Sequence, residues 1–295
     1  MRLPHPIPYQ GSKRKLAHLI GRYVPKSATF YEPFCGSGAM TIYAAHKGLA
    51  NRFVLGDSLE PIVRLQQAIV EMPAKTADRY QTVWEGQTSD NFGYFNDVRA
   101  RYNADRDAVD LLYLICRCVK NAIRFNKAGN FTQSHDKRRL GTHPEKMRAA
   151  IHGVSQILKG KVEYRVGDWL ETTFDADPDD FVYMDPPYLG TSVGPDKRYH
   201  QQMTQEPLIA GLAKLNARSV PFVLSYDGMT GDKEYGPPLP DHLGMTRLLL
   251  HAGMSSQATL SGRKEETVES LYLSADLAEP VDGVIRAPAQ LSLTL

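Results

Sequence analysis

The hydrophobic pattern near the start of the chain predicts a strand, a turn, a helix and a second strand. Residues 29–34 show the alternation of a strand and are rich in β-forming side chains. Residues 35–38, Cys-Gly-Ser-Gly, are predicted to form a tight turn. Residues 39–47 have a helical composition that a glycine ends, and residues 52–56 form a second apolar run that leads to Asp57. Parallel strands joined in this way need a right-handed crossover, so the segment predicts a βαβ unit.

The middle of the chain has a different period. From residue 59 to about residue 158 the pattern is mainly helical, with its clearest helix at 110–123 and a glycine-containing turn at 127–130. Sustained strand alternation is absent from this stretch of the sequence. We therefore interpret residues 61–160 as an insertion into the sheet-forming part of the chain.

Strands return after the insertion and alternate again with helical segments. The apolar runs and the crossover helix between them lie at 162–166, 181–184, 206–217 (helix), 220–226, 247–251 and 267–273. This alternation is typical of a doubly wound, mostly parallel α/β sheet. Residues 1–60 and 161–275 would then form one α/β domain, and the aperiodic residues 276–295 a peripheral tail.

Composition excludes several classes of protein. The chain has 295 residues, of which 42% are hydrophobic and 23% charged, so disordered, fibrous and disulfide-rich classes fit poorly. No apolar run approaches the ~20 residues needed to span a bilayer, and the first residues have no apolar core of a signal peptide. The three cysteines are too few for a disulfide framework. We expect a cytoplasmic protein without a membrane partner.

Charge is concentrated in one part of the insertion. Residues 111–148 carry nine Lys or Arg and two acidic residues, so this segment has a net charge of +7 within a chain whose net charge is +2. Such a stretch is typical of a surface that binds polyanions, because each neutralised phosphate releases condensed counterions. A solvated helix face is the alternative interpretation.

The first candidate for chemistry is Glu-Pro-Phe-Cys-Gly-Ser-Gly at residues 32–38, where the first strand turns into the first helix. Glycines let a backbone approach a ligand, and a helix N-terminus offers free N–H groups. The turn lacks the GxGxxG spacing and the P-loop lysine, which argues against NAD and ATP. A turn needed only for packing is the alternative. Asp57 could accept from ribose hydroxyls or cap the helix near residue 59.

The second candidate is Asp185-Pro186-Pro187-Tyr188, directly after an apolar strand. Two prolines stiffen the chain, so the Asp185 carboxylate and the Pro186 carbonyl can be held as converging acceptors for an exocyclic amino group. Tyr188 adds a flat face that can stack on a planar base. An Asp-Pro turn at a strand end is the simpler alternative, but it leaves the complete motif unexplained.

These motifs and their order resemble the Dam-like DNA adenine-N6 methyltransferases, the group whose cofactor half precedes the recognition insertion. DPPY at 185–188 is similar to the catalytic motif of that family, and EPFCGSG at 32–38 to its cofactor loop. YQGSKRKL at 9–16 resembles the element WxGGKRKL, with Tyr for Trp and Ser for the second Gly. NAIRFNKAGNFT at 121–132 resembles the hairpin RxNxxGxFN, and SGRKEETVESLYL at 261–273 the closing strand.

The resemblance implies a class I, Rossmann-like fold that binds S-adenosylmethionine (AdoMet) through residues 1–60 and 161–275 and DNA through residues 61–160. It implies methyl transfer to N6 of an adenine that is flipped out of the duplex. Asp185, Pro186, Pro187 and Tyr188 would then be the catalytic residues. A cognate restriction endonuclease would be a further partner if the protein belongs to a restriction-modification system. A solitary methylase and a phage enzyme are the other contexts.

The same resemblance assigns residues to the cofactor. These residues are Tyr9, Lys13, Glu32, Pro33, Phe34, Gly36, Gly38, Asp57, Asp168 and Asp185. Tyr9 and Lys13 would close the rim of the pocket, and Asp168 would meet the adenine of AdoMet. A helix N-cap is the alternative role for Asp168.

For DNA, the predicted contacts are Arg124, Phe125 and Asn126 in the hairpin and Lys137, Arg138 and Arg139 after it. Arg and Asn can bond base edges, an aromatic ring can wedge into the space of a flipped base, and the later basic residues can hold phosphates. A core aromatic under the hairpin is the alternative for Phe125.

Other chemistries fit less well. The nine histidines show no HxxxH or HExxH spacing, and Cys116 and Cys118 lie in an apolar run without a second pair, so no metal is expected. RNA or cytosine N4 are alternative methyl acceptors, although N4 enzymes usually carry Ser in place of the first Asp of DPPY. A non-catalytic DNA-binding subunit with the same fold is the alternative from another class.

Overall fold

The computed structural model of the protein describes residues 3–87, 91–187, 205–230, 233–234, 237–254 and 266–277. Two sequence predictions lie wholly or mainly outside these residues. Tyr188 is one of them, and all but the first two residues of the predicted tail 276–295 are the other.

The seven predicted strands and the predicted helices at 39–47 and 206–217 are present close to their predicted positions. The strands are β1 (Ser27–Glu32), β2 (Ala50–Asp57), β3 (Val162–Val166), β4 (Phe181–Met184), β5 (Phe222–Thr230), β6 (Lys233–Glu234), β7 (Thr246–Met254) and β8 (Glu266–Leu273). The helices are α1 (Ala17–Ile20), α2 (Ala39–Lys47), α3 (Glu60–Glu71), α4 (Pro73–Glu85), α5 (Asn91–Asp105), α6 (Ala108–Arg117), α7 (Pro144–Leu158), α8 (Trp169–Thr172) and α9 (Gln205–Ala217).

Within the described residues the strands form one mostly parallel sheet. Its order is β3-β2-β1-β4-β5-β8-β7, and the two-residue β6 pairs with the end of β5. The first five strands of this order run parallel, whereas β8 is antiparallel to both of its neighbours. The predicted doubly wound α/β sheet is therefore confirmed.

Both faces of the sheet are buried, as a doubly wound fold requires. Consecutive residues of one strand enter different apolar clusters, because side chains alternate across a strand. Phe30 and Phe181 pack with α2, α3 and α7 on one face. Tyr31 and Val182 pack with α8 and α9 on the other.

One predicted helix is wrong in its length. The apolar run 110–123 predicts a helix through residue 123, but α6 ends at Arg117 and Cys118 pairs with His135 as an isolated antiparallel bridge. Lys120 and Asn121 then adopt positive φ angles, which end helical geometry. Cys118 and Ala122 are buried all the same, so an irregular buried segment continues the apolar pattern of the helix.

The insertion shares a core with the sheet. α3 contacts β2 and β3, and α7 contacts α2, α3 and α4. One buried cluster includes Phe53 of the sheet, Ile69 of α3, Leu112 of α6 and Ile151 of α7. The first and last helices of the segment 61–160 thus pack with the α/β layers, and the boundaries of a separate recognition domain stay a prediction. None of the described helices has the length and apolarity to span a membrane.

Candidate cofactor and catalytic site

The candidate site lies where the strand order reverses. β1 and β4 are neighbours, and from them the chain continues outward through β2 and β3 on one side and through β5 on the other. Loops at the carboxyl ends of such strands diverge and leave a crevice. Glu32 ends β1, Asp57 ends β2, and Asp185 directly follows β4. The fold therefore brings three of the predicted carboxylates to one edge of the sheet.

The loop after β1 is a tight turn built on glycine. Gly36 and Gly38 have φ angles of +42° and +65°, in the region that favours glycine. The Cys35 N–H donates to the Gly56 carbonyl at 2.8 Å and ties the loop to β2. A Cβ atom on Gly36 would lie 3.3 Å from the Tyr9 ring, so the predicted rim residue Tyr9 does pack against this loop.

Asp57 holds the same loop with its side chain. Its Oδ2 accepts from the Gly36 N–H at 3.1 Å, and its Oδ1 accepts from the Leu59 N–H at 2.9 Å. Burial raises the pKa of Asp57 to about 6, although these two hydrogen bonds lower it. The bond to Leu59 is the local turn of the alternative interpretation, and the contact with a ribose stays a prediction.

Glu32 lies under the N-terminus of α2. Its carboxylate accepts from the Thr41 N–H at 2.8 Å and from the Met40 N–H at 3.4 Å. The pKa of Glu32 is raised to about 7, chiefly because the group is buried; hydrogen bonds from Thr41 and Met40 oppose the rise, and the nearby charge of Asp185 adds to it. Glu32 therefore helps to fix the start of α2 behind the loop.

Asp185 is held by an ion pair. The Lys13 Nζ lies 3.0 Å from the Asp185 Oδ1 and 3.0 Å from the Glu269 Oε2. Burial raises the pKa of Asp185 to about 6. The ammonium of Lys13 lowers it and the charge of Glu269 raises it. The Asp185 side chain is 22% exposed, so it is not fully enclosed at this edge of the sheet.

Lys13 is predicted to close the rim of the cofactor pocket, and this position stays a prediction. The residue is only 5% exposed, and its ammonium lies between two carboxylates. A cofactor contact by Lys13 stays a prediction. Pro186 is buried and Pro187 is half-buried beside Asp185, which fits a rigid motif, while Tyr188 is outside the described residues.

Sequence reasoning missed four residues that support this site. The Nε2 of Gln66 on α3 donates a hydrogen bond to the Gly36 carbonyl at 2.9 Å. The hydroxyl groups of Ser12 and Ser37 lie 2.8 Å apart. Glu269 on β8 binds Lys13. The quoted resemblance of residues 261–273 to a family strand was the only signal that pointed to Glu269, and none pointed to Gln66.

Two further cofactor candidates lie beside the loop. Phe34 is half-buried, with its ring centroid 6.2 Å from that of Trp169. Asp168 is exposed and is the N-cap of α8, where its Oδ1 accepts from the Leu170 N–H at 2.9 Å. Glu171 bonds back to the Asp168 N–H and completes a capping box. The alternative role of Asp168 is thus present, and its contact with a cofactor stays a prediction.

The predicted DNA hairpin exists as a short turn in the insertion. Phe125 pairs with Phe131 as an isolated antiparallel bridge, and the rings of Tyr102 and Phe131 lie about 6 Å from that of Phe125. The Asn126 Oδ1 accepts from two backbone N–H groups and closes the turn. Phe125 therefore packs as the alternative interpretation expects. Base contacts by Arg124, Phe125 and Asn126 stay predictions.

Two of the basic residues after the hairpin form ion pairs with one buried carboxylate. Arg138 and Arg139 approach Asp136 at 3.1 Å and 3.3 Å, and hydrogen bonds from Arg138 lower the pKa of Asp136 to about 2. Lys137, Arg138 and Arg139 are all exposed. Asp136 thus fixes two guanidinium groups at the surface, where they can meet phosphates.

Across the described ranges, no group of three or more His, Cys, Asp or Glu side chains is placed to hold a metal ion. The three cysteines are free and buried.

Known proteins with similar sequences share one chemistry in their names. A family model described as "D12 class N6 adenine-specific DNA methyltransferase" matches residues 9–274. The chain is 25% identical over 183 residues to the "DNA N-6-adenine-methyltransferase" of Escherichia phage P1, an alignment that covers 61% of this chain and 23% of that protein.

Two other relatives are methyltransferases by name. "Type II methyltransferase M.FokI" of Planomicrobium okeanokoites is 25% identical over 232 residues, which are 75% of this chain and 35% of that protein. "DNA adenine methylase" of Salmonella typhi is 23% identical over 228 residues, which are 74% of this chain and 79% of that protein. The chain thus spans less than two thirds of the first two of these relatives.

Proposed function

The chain belongs to the D12 class of N6 adenine-specific DNA methyltransferases, and we propose on this premise that it transfers a methyl group from AdoMet to N6 of an adenine in double-stranded DNA. Membership of the family confirms the resemblance that the sequence motifs carry. One observation supports the activity most directly. The carboxylate of Asp185 lies at the crevice edge of the sheet, beside the glycine loop, and a buried ammonium holds it there.

The residues around the crevice fit AdoMet. Phe34 offers a half-buried aromatic face. Asp57 at the end of β2 and Asp168 after β3 place carboxylates where hydroxyl and amino groups can donate to them. The glycine loop after β1 is shaped by Glu32, Pro33, Gly36 and Gly38. AdoMet supplies a methyl group on a positively charged sulfur. We infer that these residues, with Tyr9, orient that methyl group toward Asp185.

In the proposed reaction the target adenine leaves the base stack and enters the crevice, at a cost of a few kcal/mol. Asp185 and the Pro186 carbonyl accept hydrogen bonds from its amino group and orient the nitrogen lone pair toward the methyl carbon. The N–C bond would form as the S–C bond breaks and leaves a neutral thioether, and the amino group would lose one proton to water. Pro187 stiffens the motif, and Tyr188 stacks on the base. Orientation and electrostatics supply the rate enhancement.

We infer that the basic face of the insertion binds the duplex. Arg124, Phe125 and Asn126 would contact bases, while Lys137, Arg138 and Arg139 would hold phosphates. A cytoplasmic location and, in a restriction-modification context, a cognate endonuclease partner belong to this proposal. Asp185 favours adenine over cytosine N4 as the acceptor, and the hairpin favours duplex DNA over RNA.

The experiment that tests the function is incubation of the protein with AdoMet and unmethylated plasmid DNA, followed by single-molecule sequencing for N6-methyladenine. We expect modified adenines within one short sequence motif. Methylation of cytosine or RNA alone would replace the proposed substrate. DNA binding without methyl transfer or AdoMet binding would favour the non-catalytic subunit.

Replacing Asp57 with alanine is expected to weaken AdoMet binding. Two backbone N–H groups lose their acceptor, and leaving buried donors unpaired costs about 1–3 kcal/mol, some of it in the geometry of the glycine loop. We expect the Kd for AdoMet, measured by calorimetry, to rise at least about tenfold. Asp57→Asn keeps one acceptor oxygen and should lose less. An unchanged Kd in both variants would contradict a role of Asp57 in the cofactor loop.

Replacing Lys137 with alanine is expected to weaken DNA binding equally for all sequences. Removing one phosphate contact should reduce the slope of log K against log salt concentration by about 1. Lys26→Ala is the matched control, since Lys26 is exposed and immediately precedes β1 at the opposite edge of the sheet from Asp185. Equal salt slopes for the two variants would rule out a phosphate contact at Lys137.

A further inference from the structure

We propose that Glu269 is a positioning residue for methyl transfer, because it holds the Lys13 ammonium in the place from which that ammonium orients Asp185. The inference rests on the proposed function, and it adds a residue outside the DPPY motif to the machinery of the reaction.

The three side chains form a compact ion group, here called the Lys13 triad, which consists of Lys13, Asp185 and Glu269. Both carboxylates lie 3.0 Å from the Lys13 Nζ. The Lys13 side chain is 6% exposed, and those of Asp185 and Glu269 are 22% and 16% exposed. A largely buried ammonium needs partners to compensate for lost hydration. Asp185 alone would supply one carboxylate, and Glu269 supplies the second.

The triad joins three parts of the chain that are far apart in sequence. Lys13 begins a short 3-10 turn near the start, Asp185 follows β4, and Glu269 lies on β8. β5 separates β4 from β8 in the sheet, so the Lys13 side chain bridges the gap. The β5–β8 register shifts between Tyr226 and Gly228, and Gly228 is the partner of Glu269. The extra residue of this irregularity, at position 227, lies on β5, and Glu269 lies on the regular strand opposite it, where it reaches the Lys13 ammonium.

The division of the Lys13 charge has a chemical consequence. The Lys13 contact uses the Oδ1 of Asp185, and we place the target amino group at the other oxygen, Oδ2. If Lys13 bound Asp185 alone, the ammonium charge would be neutralised only by the Asp185 carboxylate. That carboxylate would then be a weaker hydrogen-bond acceptor for the amino group. Glu269 on β8 shares the positive charge of the Lys13 ammonium with Asp185. Asp185 thus keeps both a fixed orientation and enough negative charge to accept from the adenine.

The charges that face Asp185 set the direction of a pH effect. These are Lys13, which lowers the pKa of Asp185, and Glu269, which raises it; the carboxylate of Glu32 at the end of β1 is the third neighbour. Removing the Glu269 charge leaves Lys13 unopposed on Asp185. The pKa of Asp185 should then fall below about 6, its value with Glu269 present. Asp185 must be ionised to accept a hydrogen bond from the amino group. A variant without the Glu269 charge should therefore stay active to a lower pH than the wild type.

The test compares Glu269→Gln with Glu206→Gln, an exposed glutamate on α9 that serves as the matched control. The measurements are kcat and KM for plasmid or duplex DNA between pH 5 and 9, and the Kd for AdoMet. For Glu269→Gln we expect kcat at pH 7.5 to fall about tenfold, as expected when an acceptor that contacts the substrate loses its orientation. We expect the acidic limb of the kcat profile to shift downward by about half a pH unit or more. The Kd for AdoMet and the KM for DNA should stay within about twofold of wild type.

A conservative variant separates positioning from simple structural support. Glu269→Asp keeps the charge but shortens the side chain, so the acidic limb should return to its wild-type position while kcat recovers only in part. If Glu269→Gln does not fold, Glu269→Asp still tests the proposal, since full kcat in that variant would overturn it.

The outcomes distinguish this inference from the proposed function. Wild-type protein that does not methylate adenine would overturn both. Active wild type with an unchanged rate in Glu269→Gln would overturn only the role of Glu269. A lower kcat with an unmoved acidic limb would also overturn it, because that pattern describes structural support without an effect on the charge of Asp185.

Discussion

We expect replacement of Asp185 with alanine to lower kcat for adenine methylation at least about a thousandfold and to leave the Kd for DNA within about twofold. In the proposed reaction this carboxylate is the charged acceptor for the target amino group. The neighbouring carboxylates are already engaged, Glu269 by the Lys13 ammonium and Glu32 by backbone N–H groups of α2. Alanine also leaves the Lys13 ammonium beside the vacated position, where it would repel a developing positive charge on nitrogen.

The measurement is single-turnover methyl transfer with tritiated AdoMet, together with DNA binding by fluorescence anisotropy. Asp179→Ala is the matched control, because Asp179 is exposed and precedes β4, the strand that Asp185 follows. Asp185→Asn keeps the shape and tests the charge separately. Activity of Asp185→Ala within about tenfold of wild type would show that the carboxylate is not the acceptor.

We expect replacement of Asp110 with alanine to lower the free energy of unfolding by about 3 kcal/mol. Asp110 on α6 is fully buried, and its carboxylate accepts from the Arg101 Nε at 2.6 Å, the Arg101 Nη2 at 2.7 Å and the Arg79 Nη2 at 3.2 Å. These bonds join α4, α5 and α6, and the pairing raises the pKa of Arg101. Without the carboxylate, two guanidinium groups lose their shared partner.

The loss should lie at the low end of the range for broken buried ion pairs, about 3–5 kcal/mol, because both arginines can regain water. The Arg79 and Arg101 side chains are 37% and 35% exposed. Urea unfolding followed by circular dichroism measures the change. Asp105→Ala, at an exposed position at the end of α5, should alter the free energy of unfolding by less than about 0.5 kcal/mol. Equal stability of the two variants would contradict the role of the Asp110 network.

Much of the fold follows from local patterns in the sequence. The apolar run at 181–184 is β4, with all of its residues buried, and the composition of residues 39–47 predicts α2 with the observed ends. Gly38 and Gly48 flank α2 in left-handed geometry, which few other residues adopt. The helix predicted at 110–123 fails because hydrophobicity alone cannot separate a helix from a buried irregular segment.

The candidate site also contains features that the sequence predicts and features that it does not. The motifs at 32–38 and 185–188 can be recognised in sequence, and parallel strands place both at one sheet edge. The hydrogen bond from Gln66 to Gly36, the packing of Phe125 against Tyr102 and the ion pair between Lys13 and Glu269 could not be derived, since each joins residues on different elements.

The sequence by itself determined the element order, the sheet class, the family and the residue types available for chemistry, because turn preferences, side-chain alternation and short motifs depend on neighbouring residues. Only the tertiary structure decided that Lys13 is buried between Asp185 and Glu269, and that burial raises the pKa of Asp185 to about 6. Desolvation and charge pairing depend on which distant segments meet, and that information appears only when the chain is folded.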